Sequence, residues 1–413
     1  MTLGDRFSDM PDDLAIGMKA RNSILASFLL MGIASMAWVP RIPEIKDAVG
    51  LDNGQFGLMF VGATIGSVLG AQAAGRAIHT FGSRPVIYIS SVILPLGLVA
   101  MAISKTPTSL FLALIVMGFG YALTDMSLNS QAVVAEKILK QRWMSRFHGM
   151  WSLGSFITTI FGGFMIAHMT PEENLIAVAI FSFVGFVLAN TFLLSPERDE
   201  HAGDGTEVTE AKIPFFGKSV LGLWALGLGL VASLVAEGAA SDWGAILLRD
   251  NMQITGAVYT SSFACFALAM ITSRFLGDKA LHNFGARKTV QLGGLIGGGG
   301  WALCLAIAIP LSSIDSARMA ALVIADLGFV FAGLGIGPMF PAFILAASRV
   351  PGVAPAVAIS RVGVIGIAGY FIGPTLTGLL AQVTSLSWAM AYPIGMMMLA
   401  GIMSRAISTE AKI

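Results

Sequence analysis

The sequence contains few charged residues and almost no cysteine. Only 12% of its 413 residues are Asp, Glu, Lys or Arg, whereas 55% are apolar. Soluble domains carry about 25% charged residues, so this composition excludes an ordinary water-soluble protein. The charges lie in short clusters, and the apolar runs between them reach the roughly 20 helical residues needed to cross a bilayer. The chain is therefore predicted to be an integral membrane protein.

Several chemical motifs are also missing. The two cysteines, Cys265 and Cys304, lie singly in apolar runs, which excludes a disulfide framework and a thiolate metal site. The glycine run at 297–300 lacks the following Lys-Ser/Thr of a phosphate-binding loop. No nucleophile elbow or histidine-rich cluster occurs. We therefore expect no metal, no cofactor, no nucleic-acid partner and no enzymatic activity.

Two decapeptides repeat about half the chain apart. Residues 75–84 read GRAIHTFGSR and residues 278–287 read DKALHNFGAR, which agree at five of ten positions with a constant offset of 203 residues. Upstream in the same register, small residues recur at every fourth position in both copies: Gly62, Gly66, Gly70 and Ala74, and Cys265, Ala269, Ser273 and Gly277. This pattern indicates a duplication, and duplicated apolar helices are typical of transporters with two similar halves.

Apolar runs bounded by charge clusters and Pro/Gly turns predict an all-α integral membrane fold of two pseudo-symmetric six-helix bundles. The twelve spans are predicted near 22–39, 55–76, 85–103, 108–134, 147–168, 173–194, 218–241, 255–277, 288–310, 318–345, 354–381 and 386–405. The one long polar stretch, 195–217, divides them six from six. The predicted domains are an N-terminal bundle (1–194), a cytoplasmic linker (195–217) and a C-terminal bundle (218–413).

Lysine and arginine predict the orientation, because positively charged loops remain in the cytoplasm. With both termini inside, twenty of the 25 basic residues fall in inner segments. The other five fall in outer segments: Arg41, Lys46, Lys105, Arg249 and Arg318. The prediction is a multi-pass protein with both termini in the cytoplasm.

The basic Gly-x-Arg loop between spans two and three, repeated between spans eight and nine, resembles the major facilitator superfamily over nearly the whole chain. More narrowly, segments 37–46, 146–154 and 237–243 and residue Asn129 are similar to YbjJ-like proteins. These form a bacterial branch near the fucose:proton symporters. The chain also resembles rhizobial proteins assigned to uptake of rhizopine, an inositol-derived amine. The resemblance implies a monomer in the bacterial inner (plasma) membrane.

The same resemblance implies gating contacts at the inner ends of the helices. In this chain they involve Arg76, Arg84, Arg274, Asp278 and Arg287. The N-terminal copy departs from the family pattern, because it has His79 and Thr80 where an acidic and a basic residue are usual. Fucose symporters also carry an acid in span one, where this chain reads Met-Ala-Trp at 36–38. Any proton coupling must then use other carboxylates.

Three carboxylates lie within predicted spans: Asp125, Glu237 and Asp326, in spans four, seven and ten. An ionisable group at a helix centre costs about 2.5 to 3.5 kcal/mol, so it usually faces a cavity or a partner. By resemblance, these spans line the transport cavity. Tyr121, Asp125 and Asn129 recur at every fourth residue and form one polar stripe. The stripe indicates a substrate or proton site, and its alternative is a hydrogen-bonded cluster that packs span four on a neighbour.

Glu237 lies close to Asp242 and Trp243 near the predicted outer end of span seven. This arrangement suits a cationic or polyhydroxylated solute, because carboxylates accept hydrogen bonds and an indole supplies a flat apolar wall. The alternative for the acids is a helix end that faces water. Asp326 has the alternative of pairing with a neighbouring span.

Aromatic residues provide further candidates. Trp38, Trp243, Trp151 and Tyr370 are predicted to flank the solute, with the aromatic belt at the interface as the alternative. On span five, a second polar stripe lies beside Trp151 and consists of His148, Ser152, Ser155 and Thr159. A single histidine near a helix end is more typical of an interfacial hydrogen-bonding residue than of a proton relay.

The preferred hypothesis is a secondary active transporter that works by alternating access and imports a small sugar- or cyclitol-like solute, rhizopine included, with protons. Its partners would be the solute, protons and the bilayer. One alternative is proton-driven efflux of a drug or metabolite. A second, of another class, is a membrane receptor that does not transport. Liposome uptake of a labelled solute separates these functions.

Overall fold

The computed structural model describes residues 11–141, 143–198, 221–350 and 355–407, and most of the predicted linker lies outside these residues. The described residues form helices joined by short turns. The α-helices are α1 (Pro11–Met36), α2 (Ile42–Val49), α3 (Asn53–Phe81), α4 (Ser83–Ala102), α5 (Pro107–Leu139), α6 (Met144–Ile166), α7 (Pro171–Ala189), α8 (Leu221–Ile246), α9 (Ser261–Leu292), α10 (Gly298–Leu311), α11 (Arg318–Ile336), α12 (Met339–Ala347), α13 (Pro355–Val383), α14 (Leu386–Ala389) and α15 (Ala391–Met403).

Eleven helical segments in the described part of the chain are long and apolar enough to cross a membrane. The remaining predicted span, 354–381, coincides with α13, in which Ile372–Val383 counts as a shorter apolar helix. The all-helical membrane fold is confirmed. Helix ends differ from the predicted ones, most clearly in α1, which begins at Pro11, about three turns before the predicted start of span one at residue 22. Its first turn contains Asp12 and Asp13, and negative charge stabilises a helix N-terminus.

Span ten, which contains several glycines and prolines, is interrupted. Helix α11 ends at Ile336 and α12 begins at Met339, so the break falls at Gly337 and Pro338. Proline removes a helical hydrogen bond and collides with the preceding turn. A Cβ atom at Gly337 would lie 1.9 Å from the hydroxyl oxygen of Ser273 and 2.8 Å from the backbone carbonyl oxygen of Met270, so glycine permits this close approach to α9.

The chain divides into two compact units. The first contains residues 1–50 and 59–206, and the second contains residues 51–58 and 207–413. The first turns of α3 therefore belong to the second unit, where Gly57 lies against Thr375 and Gly378 of α13. The bundle limits at 194 and 218 remain predictions.

Each unit contains one copy of the repeated loop, and the two copies have the same backbone turn. Gly82 separates α3 from α4 with φ 79° and ψ 166°. Gly285 interrupts α9 with φ 75° and ψ 158°. The shared conformation supports the duplication inferred from the sequence. Helix α9 thus consists of two helical stretches that meet at Gly285.

Arg41 was expected in an outer loop, but its side chain is completely buried. The guanidinium donates to Glu44 Oε2 at 2.8 Å, to Asn174 Oδ1 at 3.0 Å and to the carbonyl oxygen of Met169 at 2.9 Å. It thereby ties the short helix α2 to the start of α7. A buried guanidinium is tolerated only when its donors are satisfied, and the planar fork of arginine suits several acceptors at once.

Two buried amide side chains hold the first unit together near the end of α7. Asn190 accepts a hydrogen bond from Ser27 of α1 and donates one to Ser91 of α4, both at 2.8 Å. Gln131 of α5 donates to the hydroxyl of Ser83 at 2.8 Å and accepts from the amide of Leu194 at 3.0 Å. These bonds join α1, α4 and α5 to the segment that follows α7, and they hold α5, which carries the principal candidate residues.

Candidate functional site

The first candidate site centres on Asp125 in the middle of α5. The side-chain amide of Asn129, one helical turn later, donates to Asp125 Oδ1 at 3.0 Å and to the backbone carbonyl oxygen of Asp125 at 2.9 Å. Asn129 Oδ1 lies 3.2 Å from Nε2 of His148 on α6. The structure therefore brings the polar stripes of spans four and five together in one hydrogen-bonded chain.

Local structure places His148 at this position. Helix α6 begins at Met144, and Glu136 of α5 accepts hydrogen bonds from the backbone amides of Trp143 and Met144 at its start. A carboxylate at a helix N-terminus satisfies amides that lack an intrahelical partner. The imidazole ring packs on Phe28 of α1, with ring centroids 5.2 Å apart. His148 is thus fixed from α5 and α1 at once.

The other members of the two stripes have different environments. Tyr121 is half-buried one turn before Asp125. On α6, Ser152 and Thr159 donate to carbonyl oxygens of their own helix, those of His148 and Ser155. Trp151 differs, because its indole nitrogen is buried and has no hydrogen-bond acceptor within the described residues. An unsatisfied donor of this kind suits an acceptor oxygen of a ligand.

The second candidate site contains an ion pair. Glu237 Oε1 of α8 lies 3.4 Å from an Arg274 guanidinium nitrogen of α9, with side-chain exposures of 11% and 32%. Both residues lie well inside their helices. The resemblance implied that Arg274 makes a gating contact at the inner end of span eight. In the structure, Arg274 instead contacts Glu237, which lies inside α8.

Asp242 is buried five residues after Glu237, with an exposure of 6%. Helix α8 continues beyond it to Ile246 and then through a π-helical turn, Leu247–Asn251. The alternative of a helix end that faces water is therefore wrong for Asp242. Among the described residues, no hydrogen bond or ion pair reaches its carboxylate. An uncompensated buried carboxylate is costly, so this position is a candidate for binding a cation or a hydroxyl group.

The remaining predicted residues are dispersed. Trp38 is 7% exposed and packs on Phe60, with ring centroids 5.8 Å apart. Trp243 is fully buried and donates to the carbonyl oxygen of Pro374 at 3.0 Å, so its indole nitrogen is already used in packing. Asp326 accepts a hydrogen bond from Ser261 at 3.0 Å, which agrees with the predicted alternative of a partner on a neighbouring span.

Tyr370 is half-buried on α13, where its backbone carbonyl oxygen lies beside Gly238 of α8. Gly238 directly follows Glu237 and lies about one turn before Asp242 along α8. The structure thus associates Tyr370 with the second candidate site, whereas Asp125 and Asn129 belong to the first.

The predicted gating residues lie near the repeated loops. Arg76 is exposed, and the Arg84 guanidinium lies 5.7 Å from the ring centroid of Tyr88. The pKa of the exposed Glu197 is lowered by a hydrogen bond from the Ser195 side chain, by a backbone hydrogen bond and by the charge of Arg84. Arg287 is half-buried, and the side chain of Asp278 lies outside the described residues. The gating role stays a prediction.

Two side-chain contacts at the candidate sites were missed by sequence reasoning. The contact of His148 with Asn129 joins residues on different helices, and only the matching polar stripes of spans four and five pointed to it. The pairing of Glu237 with Arg274 also joins two helices. Opposite charges within two neighbouring spans were the available signal. Within the described residues, no three His, Cys, Asp or Glu side chains are arranged to hold a metal ion.

Membrane-spanning helices, an internal duplication and charged groups inside spans together define a polytopic membrane transporter. Comparison with known proteins agrees. The family model described as Major Facilitator Superfamily matches residues 24–357. The chain therefore belongs to the major facilitator superfamily, and membership indicates a transporter and not an enzyme.

Relatives identified by sequence include proteins described as transporters. The chain is 28% identical over 396 residues to an uncharacterized MFS-type transporter of Yersinia pestis, covering 95% of this chain and 97% of the relative. It is 23% identical over 372 residues to the membrane protein MosC of Rhizobium meliloti, covering 90% and 86%.

Among solved structures, a point mutant of the nucleoside transporter NupG superposes with a TM-score of 0.72 at 13% identity, covering 95% of this chain and 99% of that one. A bacterial homologue of the human lysosomal transporter Spinster superposes with a TM-score of 0.70 at 14% identity, covering 97% and 98%. These likenesses show the fold.

Proposed function

We propose that this protein is a secondary active transporter that imports a small sugar- or cyclitol-like solute together with protons. One observation carries the proposal. Asp125 lies within an apolar helix, and its carboxylate has a hydrogen bond from Asn129 but no ion pair within the described residues. An ionisable group that is retained in a span without a counter-charge is typical of an ion or substrate pathway.

Protonation of Asp125 provides a physical basis for coupling. A neutral carboxylic acid tolerates an occluded, low-dielectric state that the anion does not, because burial disfavours the charged form. In alternating access, a solute binds near the bilayer midplane and the two halves expose it to either side in turn. Proton binding at Asp125 would thus permit the loaded carrier to reorient, and proton release would complete import.

The second candidate site favours a solute with hydroxyl or ammonium groups. Glu237 is compensated by Arg274, whereas Asp242 has no compensating group within the described residues. An ammonium group would supply the missing positive charge, and hydroxyl groups would supply hydrogen bonds. Rhizopine, an amine built on an inositol ring, combines both groups and is the specific solute we propose.

Uptake into proteoliposomes tests this function. The purified protein is reconstituted alone, and accumulation of radiolabelled inositol-amine is measured with and without an inward proton gradient. Unlabelled fucose and myo-inositol serve as competitors, and liposomes without protein serve as the control. Accumulation that requires the gradient and is reduced by the competitors supports the proposal.

Other outcomes indicate other functions. Outward movement of a preloaded solute driven by the same gradient would indicate efflux of a drug or metabolite. Absence of movement for all three solutes, in vesicles shown to contain folded protein, would contradict cyclitol and sugar import.

A further inference from the structure

The orientation of the Asn129 side chain is fixed by its own helix. Its nitrogen lies 2.9 Å from the backbone carbonyl oxygen of Asp125, and a carbonyl oxygen can only accept a hydrogen bond. Rotating the amide by 180° would bring two acceptor oxygens to this distance. The amide nitrogen therefore stays toward Asp125, and the amide oxygen stays toward His148.

This fixed orientation determines where hydrogens sit on the neighbouring groups. The amide oxygen of Asn129 only accepts, so Nε2 of His148 must carry a hydrogen at their 3.2 Å contact. Likewise, Asp125 Oδ1 accepts the N–H of Asn129 at 3.0 Å. Because Nε2 of His148 already carries a hydrogen, a further proton on the ring binds at Nδ1, and Oδ2 is the Asp125 oxygen that Asn129 does not contact.

The chain of bonds also links the charges at its ends. A proton on Nδ1 makes Nε2–H a stronger donor to Asn129, because charge-assisted hydrogen bonds are stronger than neutral ones. Polarisation of the amide then strengthens its donation to Asp125, since hydrogen bonds in a chain reinforce one another. A positively charged His148 therefore favours ionised Asp125, and a neutral His148 favours its protonation.

Several aromatic and charged groups on the helices around the histidine have contacts of their own. From α1, the neutral ring of Phe28 faces the imidazole, and Arg21 lies on the indole of Trp143 at 4.5 Å. From α6 itself, Arg146 lies on the same indole at 4.3 Å. From α5, the charged groups are Asp125, Glu136 and Lys137, and Glu136 accepts from backbone amides at the start of α6.

We infer that His148 is a positioning residue for Asp125: through the fixed amide of Asn129, the protonation state of His148 sets the proton affinity of Asp125. The transport consequence rests on the proposed function, in which Asp125 binds the coupled proton. The physical linkage between His148 and Asp125 does not depend on the proposed function, and it can be measured without a substrate.

Nitrogen NMR of histidine-labelled protein in detergent micelles tests the linkage. The chain has five histidines, and the His148 signal is identified by its loss in His148→Gln. Because linkage is reciprocal, Asp125→Asn should lower the proton affinity of His148 by about threefold or more. Asn129→Leu, which interrupts the chain, should have the same effect. His79→Gln, on the exposed part of α3, is the matched control and should leave the His148 titration unchanged.

An unchanged His148 titration in both folded variants, Asp125→Asn and Asn129→Leu, would overturn the inference whatever the uptake assay shows. Transport supplies a second readout. His148→Gln keeps an N–H donor without a titrating charge, so uptake should persist while its pH profile flattens, and His148→Leu should lower uptake at every pH. If the titration shifts but no solute is moved, the linkage holds and the proposed function fails.

Discussion

Gly82 and Gly285 lie 203 residues apart and adopt nearly the same backbone conformation, with φ/ψ of 79°/166° and 75°/158°. This region of φ/ψ space is accessible essentially to glycine alone. The repeated sequence motif therefore encodes a specific turn in each half, and the basic residues Arg84 and Arg287 both lie two positions after the glycine, in the first turn of the helical stretch that follows. The turn explains why glycine occupies both positions.

Replacing Gly285 by alanine should destabilise the protein by about 1 to 3 kcal/mol, through backbone strain. No atom lies within 4 Å of a Cβ at this position, so steric contact does not contribute. Thermal unfolding in detergent measures the change. Gly75→Ala is the matched control, because Gly75 has equal space within α3 and alanine favours a helix by up to about 1 kcal/mol. Equal melting temperatures for the two variants would contradict the assignment of strain.

The buried guanidinium of Arg41 should be essential for stability. Arg41→Lys keeps the charge but cannot donate to Glu44, Asn174 and Met169 together, so we expect a loss of about 3 kcal/mol or more. Lys105→Ala breaks an ion pair with Glu172 whose side chains are 67% and 48% exposed, and should cost less than about 1 kcal/mol. Both values come from unfolding in the same detergent, and a tolerated Arg41→Lys would refute the structural role.

Glu237 and Arg274 should be energetically coupled. Glu237→Gln leaves a cation without its partner, and Arg274→Gln leaves an anion, whereas the double variant leaves neither. We therefore expect the double variant to be more stable than the sum of the single changes predicts, by about 1 to 2 kcal/mol. A double-mutant cycle on unfolding free energies measures this coupling. Strict additivity would show that the 3.4 Å contact carries no net interaction.

The buried side chain of Asp242 should lower the stability of the folded protein, and solute uptake should depend on it. Asp242→Asn replaces a buried carboxyl group that has no partner within the described residues by an amide that cannot ionise. At a pH where the carboxyl group is ionised, the variant should gain about 1 kcal/mol of stability or more, and it should lose solute uptake. Asp315→Asn is the control, because that side chain is 88% exposed and should change neither property appreciably. A destabilised Asp242→Asn protein with normal uptake would indicate a structural role instead.

The sequence was sufficient for features that depend on local composition. Apolar runs predict the spans, and the spacing of the repeat predicts equivalent loops, which contain Gly82 and Gly285. Such features depend on the helix period and on backbone sterics, which a single sequence displays.

Contacts between helices could not be predicted from the sequence. The burial of Arg41 depends on where α7 begins relative to α2, and the pairing of Arg274 with Glu237 depends on the neighbours of α8. Hydropathy gives the length of each helix but not its rotation or its neighbours. The contact of His148 with Asn129 is of the same kind, which is why the histidine alone indicated only an interfacial hydrogen-bonding residue.

The most direct test of the central claim compares two transport modes in Asp125→Asn. Counterflow requires solute binding and reorientation but no net proton movement, whereas accumulation requires proton coupling. With radiolabelled inositol-amine in proteoliposomes, we predict that the variant retains counterflow and loses gradient-driven accumulation. Accumulation equal to that of the wild type would contradict the assignment of Asp125 as the proton-coupling residue.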